Sequence, residues 1–281
     1  MSFALGKVSR RGKSVMRDST RASHSRAVER VIEAFQQKLE EPLDLQIMAR
    51  IAFASPFHFN RMFRRVAGIP PSQFLYALRL QTAAHLLVTT DRSVLDICYE
   101  VGYNSLGTFT RRFSALMGLS PTRLRAMARM LGPDELFQEL ERSQQLARLN
   151  HEDEGAELRG MVYAPEDFDG IVLIGLFPEA IPQGRPVAGT LAIPGQPYVM
   201  RGVPEGSYYL FAAGMPVASD PLACFANQRL PRGGGQKMQI RDGAAGGIAD
   251  IELHEPAVTD PPILVTLPLL LREYLSRENG E

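Results

Sequence analysis

Two arginines, Arg61 and Arg111, stand fifty residues apart in the same local setting. Each follows a serine by six positions and a phenylalanine by two. Each precedes a phenylalanine by two positions and a glycine by seven. A guanidinium is a rigid fork of donors that fits the two acceptors of a guanine edge or the oxygens of a phosphate. Asn60, beside Arg61, can pair with adenine in the same two-point way. Thr108, Thr110 and Arg112 flank Arg111 with further donors. This is chemistry for holding a nucleic acid duplex rather than for breaking bonds. Candidates for catalysis are few. The two cysteines, Cys98 and Cys224, are far apart, and Cys224 lies between Ala223 and Phe225 in no nucleophile motif. In the C-terminal half His151 and His254 belong to no Ser/His/Asp arrangement. His151 with Glu152, Asp153 and Glu154 reads as a charged linker rather than a metal site. Gly233, Gly234 and Gly235 lack the spacing of a phosphate-binding loop and read as a flexible hairpin loop. No catalytic residue, metal set or cofactor is expected.

The elements that must hold the two arginines are written as a repeat. A shift of fifty residues lays Leu45 on Leu95, Ile47 on Ile97, Ser55 on Ser105 and Phe59 on Phe109. The same shift lays Phe63 on Phe113, Gly68 on Gly118 and Pro71 on Pro121. The matches sort by role into helix caps, apolar docking positions and one arginine per copy. Asp44, Ser55, Ser93 and Ser105 are expected N-caps, because a short side-chain oxygen satisfies an orphan amide of the first turn. Pro42, Gly68, Gly102 and Gly118 are expected stops. Val28, Val31, Ile32, Phe35 and Leu39 form one apolar stripe on a preceding helix. Phe59, Met62, Phe63, Phe109 and Phe113 should face inward, and Cys98 should be core. The economical reading is two helix-turn-helix units bridged by a helix over 72–88. Their second helices, about 55–67 and 105–117, would meet successive major grooves if they lie roughly 34 Å apart.

Charge divides the chain in the same place. Residues 1–131 hold 20 Lys+Arg against 9 Asp+Glu, and residues 132–281 hold 11 against 22. A basic half suits a polyanion, and an acidic half does not. Residues 1–23, with six basic residues and one acid, are expected to be a disordered basic arm. The helical domain should occupy 24–131 and a helical, charged linker 132–157. From 158 to 275, period-two apolar runs appear at 158–163, 171–177, 198–203, 208–212, 248–253 and 263–270. They predict an antiparallel β-sandwich, with a hairpin turn at Pro204–Gly206. The fold class is therefore multidomain α plus β: an all-α double helix-turn-helix domain, then an antiparallel β-sandwich domain. No apolar run is long enough to span a membrane, and the two distant cysteines fit a reducing cytoplasm.

Residues 26–127 resemble the AraC/XylS-type DNA-binding domain. The resemblance is carried by LQIMARIAFASPFHFNRMFRRVAGIPPSQF at 45–74, LRLQTAAHLL at 78–87 and SVLDICYEVGYNSLGTFTRRFSALMGLSPTRLR at 93–125. It implies base contacts from Phe57, Asn60 and Arg61 in the first copy and from Leu106, Gly107 and Arg111 in the second. It implies phosphate contacts from His58, Arg64, Thr108 and Arg112. Leu106 and Gly107 stand where the family often has polar readers, so the second helix should lean on Arg111, thymine methyls or DNA shape. The DNA-binding domain is N-terminal here, whereas many relatives carry it at the C-terminus. The C-terminal half is similar to transthyretin-like or carboxypeptidase-regulatory-like β-sandwiches through Val203-Pro204-Glu205-Gly206-Ser207-Tyr208. The expected function is a sequence-specific, double-stranded-DNA-binding transcription regulator. Expected partners are RNA polymerase and a possible small-molecule effector, with either a monomer or a homodimer allowed. The alternative is the same DNA-binding module fused to an enzymatic or architectural function.

Overall fold

The computed structural model describes residues 9–130, 156–216, 230–241, 244–245 and 249–266. Seven helices come first: α1 (Ser9–Gln37), α2 (Leu45–Ile51), α3 (Pro56–Ala67), α4 (Pro71–Thr89), α5 (Val94–Glu100), α6 (Leu106–Met117) and α7 (Pro121–Met130). Eight strands follow: β1 (Ala156–Tyr163), β2 (Gly170–Phe177), β3 (Ala188–Ala192), β4 (Pro197–Val203), β5 (Gly206–Pro216), β6 (Arg232–Arg241), β7 (Ala244–Ala245) and β8 (Ile251–Glu252). The α plus β architecture is as the sequence implies. The expected linker up to residue 155, with its HEDE run, Cys224 and the end of the 263–270 run lie outside the described residues.

The expected caps form. Asp44 accepts from the Ile47 amide, Ser55 from His58, Ser93 from Asp96 and Ser105 from Thr108. Gly68 and Gly118 end α3 and α6 in the left-handed region, at φ 76° and 82°. α7 is a further helix, beyond those that the caps and stops above mark out. Its signals are Ser120, whose hydroxyl accepts from the Arg123 amide, followed by Pro121. The helical core gathers Phe35, Phe59, Phe63, Phe74, Phe109 and Phe113, all essentially buried. Cys98 is buried with them as a free thiol, and burial pushes its pKa up. α4 is buried along most of its length and bridges the two units. Arg79 ties it to the Glu41 carbonyl at 2.9 Å, and Arg125 of α7 donates to the Leu87 carbonyl in its last turn and to the Arg92 carbonyl beyond it.

Three expectations are corrected. First, helical backbone begins at Ser9, inside the stretch expected to be a disordered arm. Residues 9–23 contain no proline and a single glycine, so a helix nucleated over 24–37 can propagate backwards through them. Second, the glycine triplet is not a hairpin loop but the start of β6. Between Tyr209/Lys237 and Phe211/Gly234 the β5–β6 register slips by one residue, and Gly234 and Gly235 supply the positive φ of that bulge. Third, Pro204–Gly206 does not close a hairpin. β4 pairs with β1, whereas β5 pairs with β2 and β6. The turn is an arch across the strands, and the Tyr208 hydroxyl folds back to donate to the Glu205 carbonyl.

The strand order is β3-β2-β5-β6-β7-β1-β4, with β8 beside β1. Pairing is antiparallel except for short parallel contacts of β1 with β7 and β8. One apolar cluster, including Leu158, Met200, Leu210 and Ile251, fills the inner face. A second, including Leu173, Phe177, Leu191 and Val265, lies on the opposite face of β2, β3 and β5. β2 is therefore buried along its whole length.

The β domain also docks on the helices. Ile181 and Leu264 enter the helical core. The Gly184 amide donates to the Leu116 carbonyl at 2.6 Å and the Thr266 hydroxyl to the Met117 carbonyl at 3.1 Å. Both acceptors belong to the last turn of α6, whose carbonyls have no partner within the helix.

Candidate nucleic-acid interface

The second helix of each unit is built by the same three devices. A serine caps it, two phenylalanines four residues apart dock it, and a left-handed glycine stops it. Phe59 and Phe63 pack edge-on at 5.6 Å, and Phe109 and Phe113 pack at the same separation. With this face buried, helical periodicity turns Arg61 and Arg111 outward, and both are exposed.

The first helices follow a different register. The Ala52 amide donates to the Met48 and Arg50 carbonyls, and the Val101 amide to Ile97 and Tyr99. Met48 and Ala49 are buried in α2, as are Ile97 and Cys98 in α5. These correspond at a shift of 49, not 50. The expected pairings of Leu45 with Leu95 and Ile47 with Ile97 are therefore one residue out. The difference is absorbed in the turn, which is one residue longer in the second unit, at Tyr103–Ser105. At the shift of 49, Phe53 meets Gly102, and both adopt positive φ, 54° and 81°. Phe53 is the one non-glycine residue with positive φ among the described residues. It is 88% exposed, with the Arg30 guanidinium 5.6 Å from its ring. Gly102 has no such freedom, since a Cβ there would lie 2.3 Å from the Leu39 carbonyl oxygen.

The outward faces differ as well. On α3, Phe57, His58, Arg61, Arg64 and Arg65 are exposed and Asn60 is half-buried. His24 of α1 stacks edge-on against His58 at 5.7 Å. Partial burial holds the His24 pKa below its usual value, and the positive charge of His58, Arg65 and Arg61 adds to that effect. On α6, Leu106, Gly107, Thr108 and Arg111 are exposed. A Cβ at Gly107 would touch only the Ser105 hydroxyl oxygen, at 4.0 Å. Arg112 is also exposed, but its guanidinium lies 5.2 Å over the Tyr76 ring of α4. Burial raises the pKa of the neighbouring Tyr103 hydroxyl, and the Arg112 guanidinium beside it offsets part of that rise. Sequence reasoning did not find Phe53, His24, Arg65 or the Arg112–Tyr76 stack. The fold brings His24 and Arg30 of α1 against the first unit, and no local spacing announces that.

The helix-turn-helix domain family matches residues 48–127. The regulatory protein SoxS of Salmonella typhimurium is 31% identical over 103 residues, spanning 37% of this chain and 96% of that protein. The chain belongs to the AraC-type helix-turn-helix regulators. The match lies in one part of the chain. The bifunctional transcriptional activator/DNA repair enzyme AdaA of Bacillus subtilis is 29% identical over 103 residues, 37% of this chain and 49% of AdaA. Among solved structures, the DNA-binding domain of AdpA in complex with a target DNA is 31% identical. It covers 38% of this chain and 96% of that one, with a TM-score of 0.36. DNA binding and transcription regulation follow for this chain from its family. Among the described residues no group of three or more His, Cys, Asp or Glu could hold a metal, and no helix is long and apolar enough to cross a membrane.

Proposed function

We propose that this protein reads a specific duplex sequence by laying α3 and α6 in successive major grooves. The observation that supports it most is the pair Arg61 and Arg111, exposed at equivalent positions of two helices with the same cap, docking face and stop. Phe57, Asn60 and Arg61 contact bases from α3, and Leu106, Gly107 and Arg111 from α6. His58, Arg64 and Thr108 hold phosphates. Arg112 reaches a phosphate from its stack on Tyr76, where the ring fixes its stem. The β domain, with its transthyretin-like or carboxypeptidase-regulatory-like strand pattern, serves effector sensing, dimerisation or partner contact. RNA polymerase in the cytoplasm is the partner of the DNA-bound state.

Arg61→Ala and Arg111→Ala test the base-reading role. Each should lower affinity for the selected site by about 1–3 kcal/mol while changing binding to unrelated DNA much less. Gel shifts at one fixed salt concentration measure both. Equal losses on both DNAs would reduce the two arginines to phosphate contacts.

A further inference from the structure

The two recognition helices end differently against the β domain. The end of α3, at Val66, Ala67 and Gly68, borders a cavity. Among the described residues no donor reaches the Val66 or Ala67 carbonyl. The matching carbonyls of α6, on Leu116 and Met117, both have partners, and both partners belong to the β domain. The second helix is held where the first is not.

Two segments make that hold. One is the loop 178–184 between β2 and β3, and the other is the segment 263–266. They brace each other first. The Leu264 amide donates to the Pro182 carbonyl at 2.8 Å, and Gln183 forms a parallel bridge with Leu264. Gly184, at φ 68°, aims one amide at both the Leu116 carbonyl, at 2.6 Å, and the Leu264 carbonyl, at 3.3 Å. The Thr266 hydroxyl donates to the Met117 carbonyl at 3.1 Å. Ile181 and Leu264, both fully buried, seat the two segments in the helical core. Pro178, Pro182 and Pro186 fix φ in and beside the loop, so little chain entropy remains to be lost on docking. A stiff loop passes on a displacement that a loose one would absorb.

A side chain extends the hold towards the face that meets DNA. The Gln183 side-chain carbonyl accepts from the Tyr76 hydroxyl of α4 at 3.4 Å. The Tyr76 ring carries the Arg112 guanidinium 5.2 Å from its centroid. Arg112 directly follows Arg111 on α6. One loop of the β domain therefore reaches the end of α6 through Gly184 and an outward arginine of α6 through Tyr76.

We infer that the β domain is a strut that positions the second recognition helix on DNA. Gln183 and Thr266 are its positioning residues, acting through Arg112 and the end of α6. The strut governs the half of the site read by α6 and leaves the half read by α3 alone. This deepens, and rests on, the proposal that α3 and α6 read bases.

The test uses the full chain and a duplex selected from random DNA. Single base-pair changes along the duplex are scored by fluorescence anisotropy at one salt concentration. Arg61→Ala and Arg111→Ala first assign the two halves, as the positions where each variant stops discriminating. The double variant Tyr76→Phe/Thr266→Val keeps the ring under Arg112 and the shape of residue 266 but removes both hydroxyls. It should lose roughly fivefold in discrimination over the α6 half through its two lost hydrogen bonds, and stay within about twofold over the α3 half. A merely destabilised protein has fewer active molecules, which weakens binding to every duplex alike and leaves both halves discriminating. Equal loss in both halves, or loss in neither, would overturn the inference. If the double variant misfolds, Gln183→Ala decides by the same pattern. Amide exchange without DNA separates the two readings. In the double variant residues 110–118 should exchange faster and residues 60–68 should not, even if the arginine variants fail to divide the site. Unchanged exchange over 110–118 would remove the strut.

Discussion

The first and second helix-turn-helix units dock in the same way and present different surfaces. Phe57 and Gly107 hold the same place on their recognition helices, so an exposed ring on one helix answers to no side chain on the other. The first unit adds His58, Arg64 and Arg65, whereas the second stacks Arg112 on Tyr76. The turns differ too, with a strained Phe53 in one and Gly102 in the other. Behind them, α6 has its terminal carbonyls satisfied by Gly184 and Thr266 of the β domain, while the end of α3 borders a cavity. A duplicated scaffold can thus fix where two helices stand and leave each free to read differently. Packing constrains only the inward third of each helix.

The sharpest break in the comparison is at the turns. Gly102→Val should destabilise the protein by about 3 kcal/mol, because it adds left-handed strain to a clash with the Leu39 carbonyl. Phe53→Gly at the matching position should do the reverse and stabilise by about 1 kcal/mol. Urea unfolding monitored by circular dichroism reads both. A destabilised Phe53→Gly protein would mean that the Arg30 contact outweighs the strain.

The next test concerns how the two faces meet DNA. Phe57→Gly should cost about 1–2 kcal/mol of site affinity if its ring lies on thymine methyls. Gly107→Phe should lose affinity too, by crowding a helix that approaches closely. If Gly107→Phe binds as well as the parent in fluorescence anisotropy, the second helix does not approach the bases there. Arg112→Ala should lower stability by about 1 kcal/mol through the lost ring contact. Its loss in DNA affinity should be smaller than that of Arg64→Ala on the first helix.

The smallest expected effect is the proton on His24. Its folded pKa is lowered, so the unfolded chain takes up a proton first as pH falls below about 6.5. Stability from this group is present above that pH and is lost as pH falls through the window beneath it. A DNA phosphate beside His24 would favour the protonated form and so reverse the preference. Site affinity should therefore rise modestly between pH 7 and pH 6, and His24→Gln should flatten both profiles. Parallel profiles for the parent and His24→Gln would remove His24 from the interface.

Short-range information determined much of the helical half. Asp44, Ser55, Ser93 and Ser105 mark helix starts because a side-chain oxygen three residues from an amide is a local geometry. The phenylalanines at 59, 63, 109 and 113 mark a buried face because their spacing matches the helical period. Charge asymmetry and the repeat pointed to the two outward arginines on the same grounds. The repeat at a shift of 50 also misplaces the first helices by one residue, because the extra residue sits in the turn and leaves no mark on the flanking identities. Tertiary structure alone decided the rest. Whether the Gly233–Gly235 run is a loop or a bulged strand depends on its distant partner β5, and so does the path of Pro204–Gly206. The stack of Arg112 on Tyr76, the histidine pair across α1 and α3, and the contact of Gln183 with Tyr76 join residues that no period relates. Such contacts are set by how the chain closes on itself, and one stretch of sequence carries no sign of its partner.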